Sequence, residues 1–257
     1  MSAQSSDQAT RTRLGRAVRA TTGTARRISS KHREHHRQGN WLRDVILGGQ
    51  DGLVNILGII LGVIAGGGSN TVLLSAGFAA AITESISMGA VGYTSSVSER
   101  DYYEAERGRE QSEIETMPQA ERQEIRDIYA AKGFSGDLLE NVVDTITANR
   151  DTWLGTMMDE ELHLQPVKNS DILRSSVVIT VATLIGHLIP LLPFVWMART
   201  PALILAIALS AVVLFGVGAY SAVTLVGDWR TNGPKMVAIG LGAAGIGFLI
   251  GNLFHGS

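Results

Sequence analysis

Cysteine is absent from the 257 residues. That excludes a disulfide framework and any thiolate metal site. Lysine and arginine are missing from five long stretches, residues 45–65, 71–97, 175–197, 201–226 and 236–254. The acidic residues inside those stretches are Asp51 and Glu84 alone. The stretches also lack polar positions at helical period, so they do not read as half-exposed helices of a soluble bundle. They lack the apolar–polar alternation over about 10 residues that outer-membrane strands carry. The first 40 residues contain no apolar run and are not expected to be a secretory signal. They contain no aromatic residue before Trp41, which argues against a nucleic-acid-binding arm.

What remains is a membrane protein. Each charge-free stretch is long enough, or nearly so, to cross a hydrocarbon core as a helix of about 20 residues. Their Gly- and Ala-rich composition suits closely packed membrane helices. Residues 11–43 carry ten Lys or Arg and three His, which predicts a basic, disordered tail drawn to anionic lipid. By the positive-inside rule that tail puts the N-terminus in the cytosol. The loop at Gly66–Asn70 then lies outside, residues 98–174 inside, the loop with Arg199 outside, and the loop with Arg230 and Lys235 inside. Trp41, Trp196 and Trp229 fall at span ends, as interfacial tryptophans do.

The expected fold is therefore an all-α membrane protein with five transmembrane helices and a cytosolic three-helix acidic insert between the second and third. Its parts are a tail over 1–40, the first two spans over 41–98, a helical insert over 99–170, and three spans over 171–257. Residues 99–161 hold 17 of the 24 acidic residues but only seven Lys or Arg. Pro118 opens a helix well and Gly133 ends one, which predicts helices to about 116, over 118–131 and over 136–162.

Candidate chemistry sits in two places. Asp51 in the first span has Asn55 one turn on, and Glu84 in the second has Met88 one turn on. A carboxylate at mid-bilayer costs roughly 2.5–3.5 kcal/mol on insertion scales, so such residues commonly mark a substrate or proton path. Carboxylate with thioether suits a borderline cation such as iron(II) better than magnesium. In the insert, Glu110 and Glu113 are three apart on one predicted helix, and Glu121 and Glu124 repeat the spacing on the next. Met157, Met158 and Glu161 end the third. Such a set can bind divalent ions, although acidic helix faces are commonly only solvated. Glu160 and His163 form one Glu-x-x-His pair, where a di-iron carboxylate bundle needs two. His187, near Pro190 and Pro193, is a candidate pore or packing residue. Gly247 and Gly251 permit a close helix contact, within a subunit or between subunits.

The runs Trp41-Leu42-Arg43-Asp44 through Asp51-Gly52-Leu53-Val54-Asn55, Glu84-Ser85-Ile86-Ser87-Met88, and Ser98-Glu99-Arg100-Asp101-Tyr102-Tyr103-Glu104 together resemble the vacuolar iron transporter family. The resemblance extends from about residue 41 to the C-terminus. It implies a five-span homodimer that exchanges iron(II), or manganese(II), for protons. It implies that Asp51 and Met88 line the path with Glu84 nearby. It also implies that Glu110, Glu113, Glu121, Glu124, Met158 and Glu161 hold metal in the insert, with Met157 adjacent. Many relatives carry Gly-Glu-Tyr one turn past the methionine, where this chain has Val91-Gly92-Tyr93.

The leading expectation is a proton-coupled exporter that clears iron(II) from the cytosol. It is not expected to be an enzyme or to hold a prosthetic group. Its partners would be divalent ions, protons, membrane lipid and a second copy of itself, with no nucleic acid. The alternatives are a membrane-anchored di-iron ferroxidase and a metal sensor. The short loops and absent targeting segment fit a bacterial inner membrane, with a vacuolar membrane as the alternative.

Overall fold

The computed structural model describes residues 39–225 and 227–255. The basic tail expected before residue 40 lies outside them, save that helix α1 begins at Gly39. Helices follow in the order α1 (Gly39–Ala65), α2 (Asn70–Thr116), α3 (Pro118–Ala131), α4 (Gly136–Thr147), α5 (Arg150–Thr156), a π-helical turn (Met157–Glu161), α6 (Asn169–Leu191), the short α7 (Pro193–Trp196), α8 (Arg199–Leu225) and α9 (Trp229–His255). There is no strand among the described residues. α1, α2, α6, α8 and α9 are each long and apolar enough to cross a membrane. Each overlaps one of the five charge-free stretches.

α2 runs for 47 residues, about 70 Å at 1.5 Å per residue. A hydrocarbon core spans about 30 Å, so the charged half of α2 must project beyond it. The helix starts at Ser69, whose hydroxyl accepts from the Val72 amide at 3.2 Å. It stops at Met117, and Pro118 opens α3 in the next position, where its missing N–H costs nothing. That corner folds the insert back. Ile114, Ile125, Leu139, Val143, Ile146, Trp153, Leu154, Met157 and Met158 close on one another as its apolar core. Exposed ion pairs, including Arg126–Glu140 at 2.7 Å and Lys132–Glu160, dress the outside and add little stability, being screened by solvent.

The third insert helix differs from expectation. In place of one helix over 136–162 there are α4, α5 and the π turn. Asn149 makes the break: its extended backbone and a side-chain oxygen accepting from the Thr152 amide at 3.0 Å start a new helix. Asparagine favours that capping role over a helix interior.

In the membrane part, Ile56, Ile60, Leu73, Leu191, Phe194, Ala202 and Ala206 form one core cluster. Contacts tie the helices at both ends. Arg100 Nη1 donates to Asn169 Oδ1 at 3.0 Å and Ser175 bonds Asp44 at the insert end. Asn70 donates to the Phe194 carbonyl at 3.2 Å and Arg199 to the Gly68 carbonyl at 2.6 Å at the other. The Gly247 and Gly251 stripe packs within the chain. A methyl on Gly247 would stand 2.5 Å from the Gly58 carbonyl oxygen, and one on Gly251 would strike the Gly62 carbonyl. The backbones of α1 and α9 therefore touch directly, the contact small residues permit.

Candidate metal path and acidic cluster

Three membrane helices place polar side chains against one another in an otherwise apolar bundle. Glu84 of α2 takes a hydrogen bond on Oε1 from the Asn55 side chain of α1. Its Oε2 lies 2.8 Å from His187 Nε2 of α6. His187 is fully buried, while the Glu84 side chain keeps 25 % of its surface. The second ring nitrogen, Nδ1, sits 2.8 Å from the Thr183 carbonyl oxygen. A carbonyl oxygen only accepts, so Nδ1 carries a proton.

Glycine makes this meeting possible. Gly48 and Gly52 of α1 face α6, and a methyl on Gly52 would collide with the Thr183 carbonyl and stand 2.8 Å from His187 Nδ1. Across the antiparallel pair α1 and α2, Asn55 faces Glu84. Asp51 and Met88 are each one turn nearer the insert, about 6 Å along the helices, and so lie level with each other. Both are partly buried. Asp51 lies within electrostatic reach of Glu84 and His187. The sequence reading singled out Asp51, Asn55, Glu84 and Met88, but not the link from Glu84 to His187. The available signal is a histidine in the stretch 175–197, which lacks Lys and Arg.

The second set forms at the α2–α3 corner. Glu110, Glu113 and Glu121 each offer a carboxylate oxygen within 4.8 Å of the others. Glu110 and Glu121 are 2 % and 4 % exposed. Glu110 Oε1 and Glu121 Oε2 are buried without a hydrogen-bond partner, a costly condition for a carboxylate. Burial, then the hydrogen bond to Glu121 and its charge, push the Glu110 carboxyl up to about 8. Burial also raises Glu121, against the hydrogen bond from Glu110 that favours its charge. Burial and the charge of Glu124 raise Glu161, in the π turn, to about 7. Glu124 and Glu161 stand within electrostatic reach of one another and of Glu121. Met157 and Met158 are buried in the core with Ile114 and Ile125, one turn from Glu110 and Glu121.

Two carboxylates sharing a proton in a buried pocket, with unpartnered oxygens, are chemically suited to a divalent cation that replaces the proton. The Glu160–His163 pair does not converge. Glu160 pairs with Lys132, and His163, at φ 53°, turns its Nδ1 to the Asp159 carbonyl at 3.2 Å.

The VIT family profile matches residues 42–252. The chain is 35% identical over 170 residues to a vacuolar iron transporter of Centaurea cyanus, covering 66% of this chain and 69% of that one. It is 34% identical over 186 residues to vacuolar iron transporter 1 of Arabidopsis thaliana, covering 71% and 74%. Against the vacuolar iron transporter of Toxoplasma gondii it is 31% identical over 249 residues, covering 90% and 80%. A match that spans all five membrane-length helices and the insert shows that this chain belongs to the VIT family.

Proposed function

We propose that the protein moves iron(II) across a membrane out of the cytosol in exchange for protons, with manganese(II) as a second cargo. The observation that carries this reading is a pair of carboxylates, Asp51 and Glu84, inside apolar spans and on the side of α1 and α2 where the helices meet. Keeping such groups in the bilayer is costly, and a cation path gives that cost a use. The names of the relatives support iron as cargo.

The insert, with the N-terminus, stands on the cytosolic side, and the protein works as a homodimer. Glu110, Glu113, Glu121, Glu124, Glu161, Met157 and Met158 collect ions at the inner mouth. Asp51, Glu84 and Met88 pass them on. A proton and a dication compete for one carboxylate in a low-dielectric site, so protons arriving from the far side release metal and reset the path. The ferroxidase alternative has less support, because its Glu-x-x-His pair does not converge. Uptake of iron, manganese, cobalt and zinc into proteoliposomes, with and without a pH gradient, tests the proposal. Iron accumulation that depends on the protein is expected, and rates equal to those of empty vesicles would overturn it.

A further inference from the structure

His187 is fully buried in α6, and neither ring nitrogen faces an apolar surface. Nδ1–H is spent on the Thr183 carbonyl at 2.8 Å. That contact turns the ring so that Nε2 points at Glu84 Oε2, also at 2.8 Å. Metal-binding histidines are oriented in this way: the outer nitrogen donates to a backbone carbonyl or carboxylate, which fixes the tautomer and leaves the inner nitrogen as ligand.

The spacing of the two candidate ligand atoms also fits. Metal–nitrogen and metal–oxygen bonds of about 2.0–2.2 Å put neighbouring ligand atoms at right angles about 3 Å apart. A hydrogen-bonded pair of good ligand atoms at that separation is a place where a cation can replace a proton. Asn55, bound to Oε1, leaves Oε2 turned to the histidine. Asp51 lies within electrostatic reach of the pair. No Lys or Arg in α1 from 45 onward, in α2 up to 97 or in α6 from 175 onward stands ready to neutralise these carboxylates permanently.

We propose that His187 Nε2 is a ligand of the transported cation, shared with Glu84 Oε2. The path thereby takes its cargo through nitrogen as well as oxygen. This rests on the transport reading above and adds a selectivity to it. An imidazole donor favours iron(II), cobalt(II) and zinc(II) over magnesium and calcium, which want oxygen.

The test uses the full chain. His187→Gln keeps an amide N–H that can reach Glu84 but removes the imidazole nitrogen, whereas His187→Ala removes both. If His187 is a ligand, both variants raise the KM for iron(II) by at least about tenfold. Manganese(II) bound to the wild type would show histidine-nitrogen coupling in pulsed electron paramagnetic resonance, and His187→Gln would lose it. The glutamates and methionines of the insert contribute no nitrogen, and any coupling from His163 or the tail histidines would survive in His187→Gln.

Recovery of wild-type KM in His187→Gln alone would make the histidine a hydrogen-bonding prop for Glu84 and overturn the assignment. A wild type without nitrogen coupling would overturn it with no variant at all. Should His187→Gln fail to fold, His187→Ala carries the same spectroscopic comparison. Absence of transport by a wild type that does show the coupling would defeat the transport reading and leave the ligand in place.

Discussion

Glu84 joins three membrane helices, holding the Asn55 amide of α1 on one carboxylate oxygen and facing the His187 imidazole of α6 with the other. Its position in a span without Lys or Arg marks it out. Its partners, Asn55 and His187, come from helices 29 and 103 residues away in sequence, and no local pattern reports such distances. Asn55 shares a face with Asp51 and could be anticipated, whereas the turn of the His187 ring depends on the packing of α6 against Gly52. Asp51→Ala and Glu84→Ala are each expected to abolish metal transport while leaving a folded, membrane-inserted protein. Full transport by the inserted double mutant would rule out a carboxylate path. Gly52→Ala is a test of packing. The added methyl meets the Thr183 carbonyl and His187 Nδ1, and overpacking of this kind costs about 1–3 kcal/mol. Lower thermal stability together with lost transport is the expected outcome, and a fully active, equally stable variant would show that α1 and α6 do not pack this tightly.

At the scale of the element, the periodic and compositional signals served well and the local interruptions did not. The charge-free runs located all five membrane-length helices, because a backbone in hydrocarbon must form a helix or a closed barrel and the runs lack the alternation of barrel strands. Pro118 located the corner. The break at Asn149 is not legible in the sequence, since one capping side chain within a long helix-forming run is a weak signal. The acidic pairs at three-residue spacing pointed to a cluster. That Glu110 and Glu121 would be buried rather than solvated depended on the corner folding α3 onto α2.

Replacing Glu110, Glu113, Glu121 and Glu124 together by Ala should weaken metal binding to the full chain far more than any single change, as read by calorimetry. Unchanged binding would make the acidic run a solvated face. The raised carboxyls of Glu110, about 8, and Glu161, about 7, give a direction with pH. Without metal these groups hold protons in the folded state that the unfolded chain gives up, so their stabilising contribution is complete below about 4.5 and lost as pH rises through 7 to 8. Metal needs the ionised forms. Affinity is therefore expected to climb between pH 6 and 8, with protons released on binding, and the thermal stabilisation by manganese(II) should be larger at pH 8. An affinity independent of pH across that range would remove Glu110 and Glu161 from the site.

At the scale of the molecule, the two polar sets lie in line along α2, which among the described elements alone carries residues of both. Its membrane half presents Glu84 and Met88, and its projecting half presents Glu110 and Glu113. Under the proposed function, an ion collected at the corner would be on the same helix that continues to Glu84 and Met88. The central claim is that metal moves one way as protons move the other, and the most direct measurement is iron(II) uptake into proteoliposomes with a neutral exterior and an acidic lumen. For protein oriented with the insert outside, uptake should be faster than at equal pH on both sides, a protonophore should remove that gain, and Asp51→Ala should show no uptake above empty vesicles. An uptake rate indifferent to collapse of the gradient, at fixed iron(II) on both sides, would contradict proton exchange and make the protein a channel or facilitator.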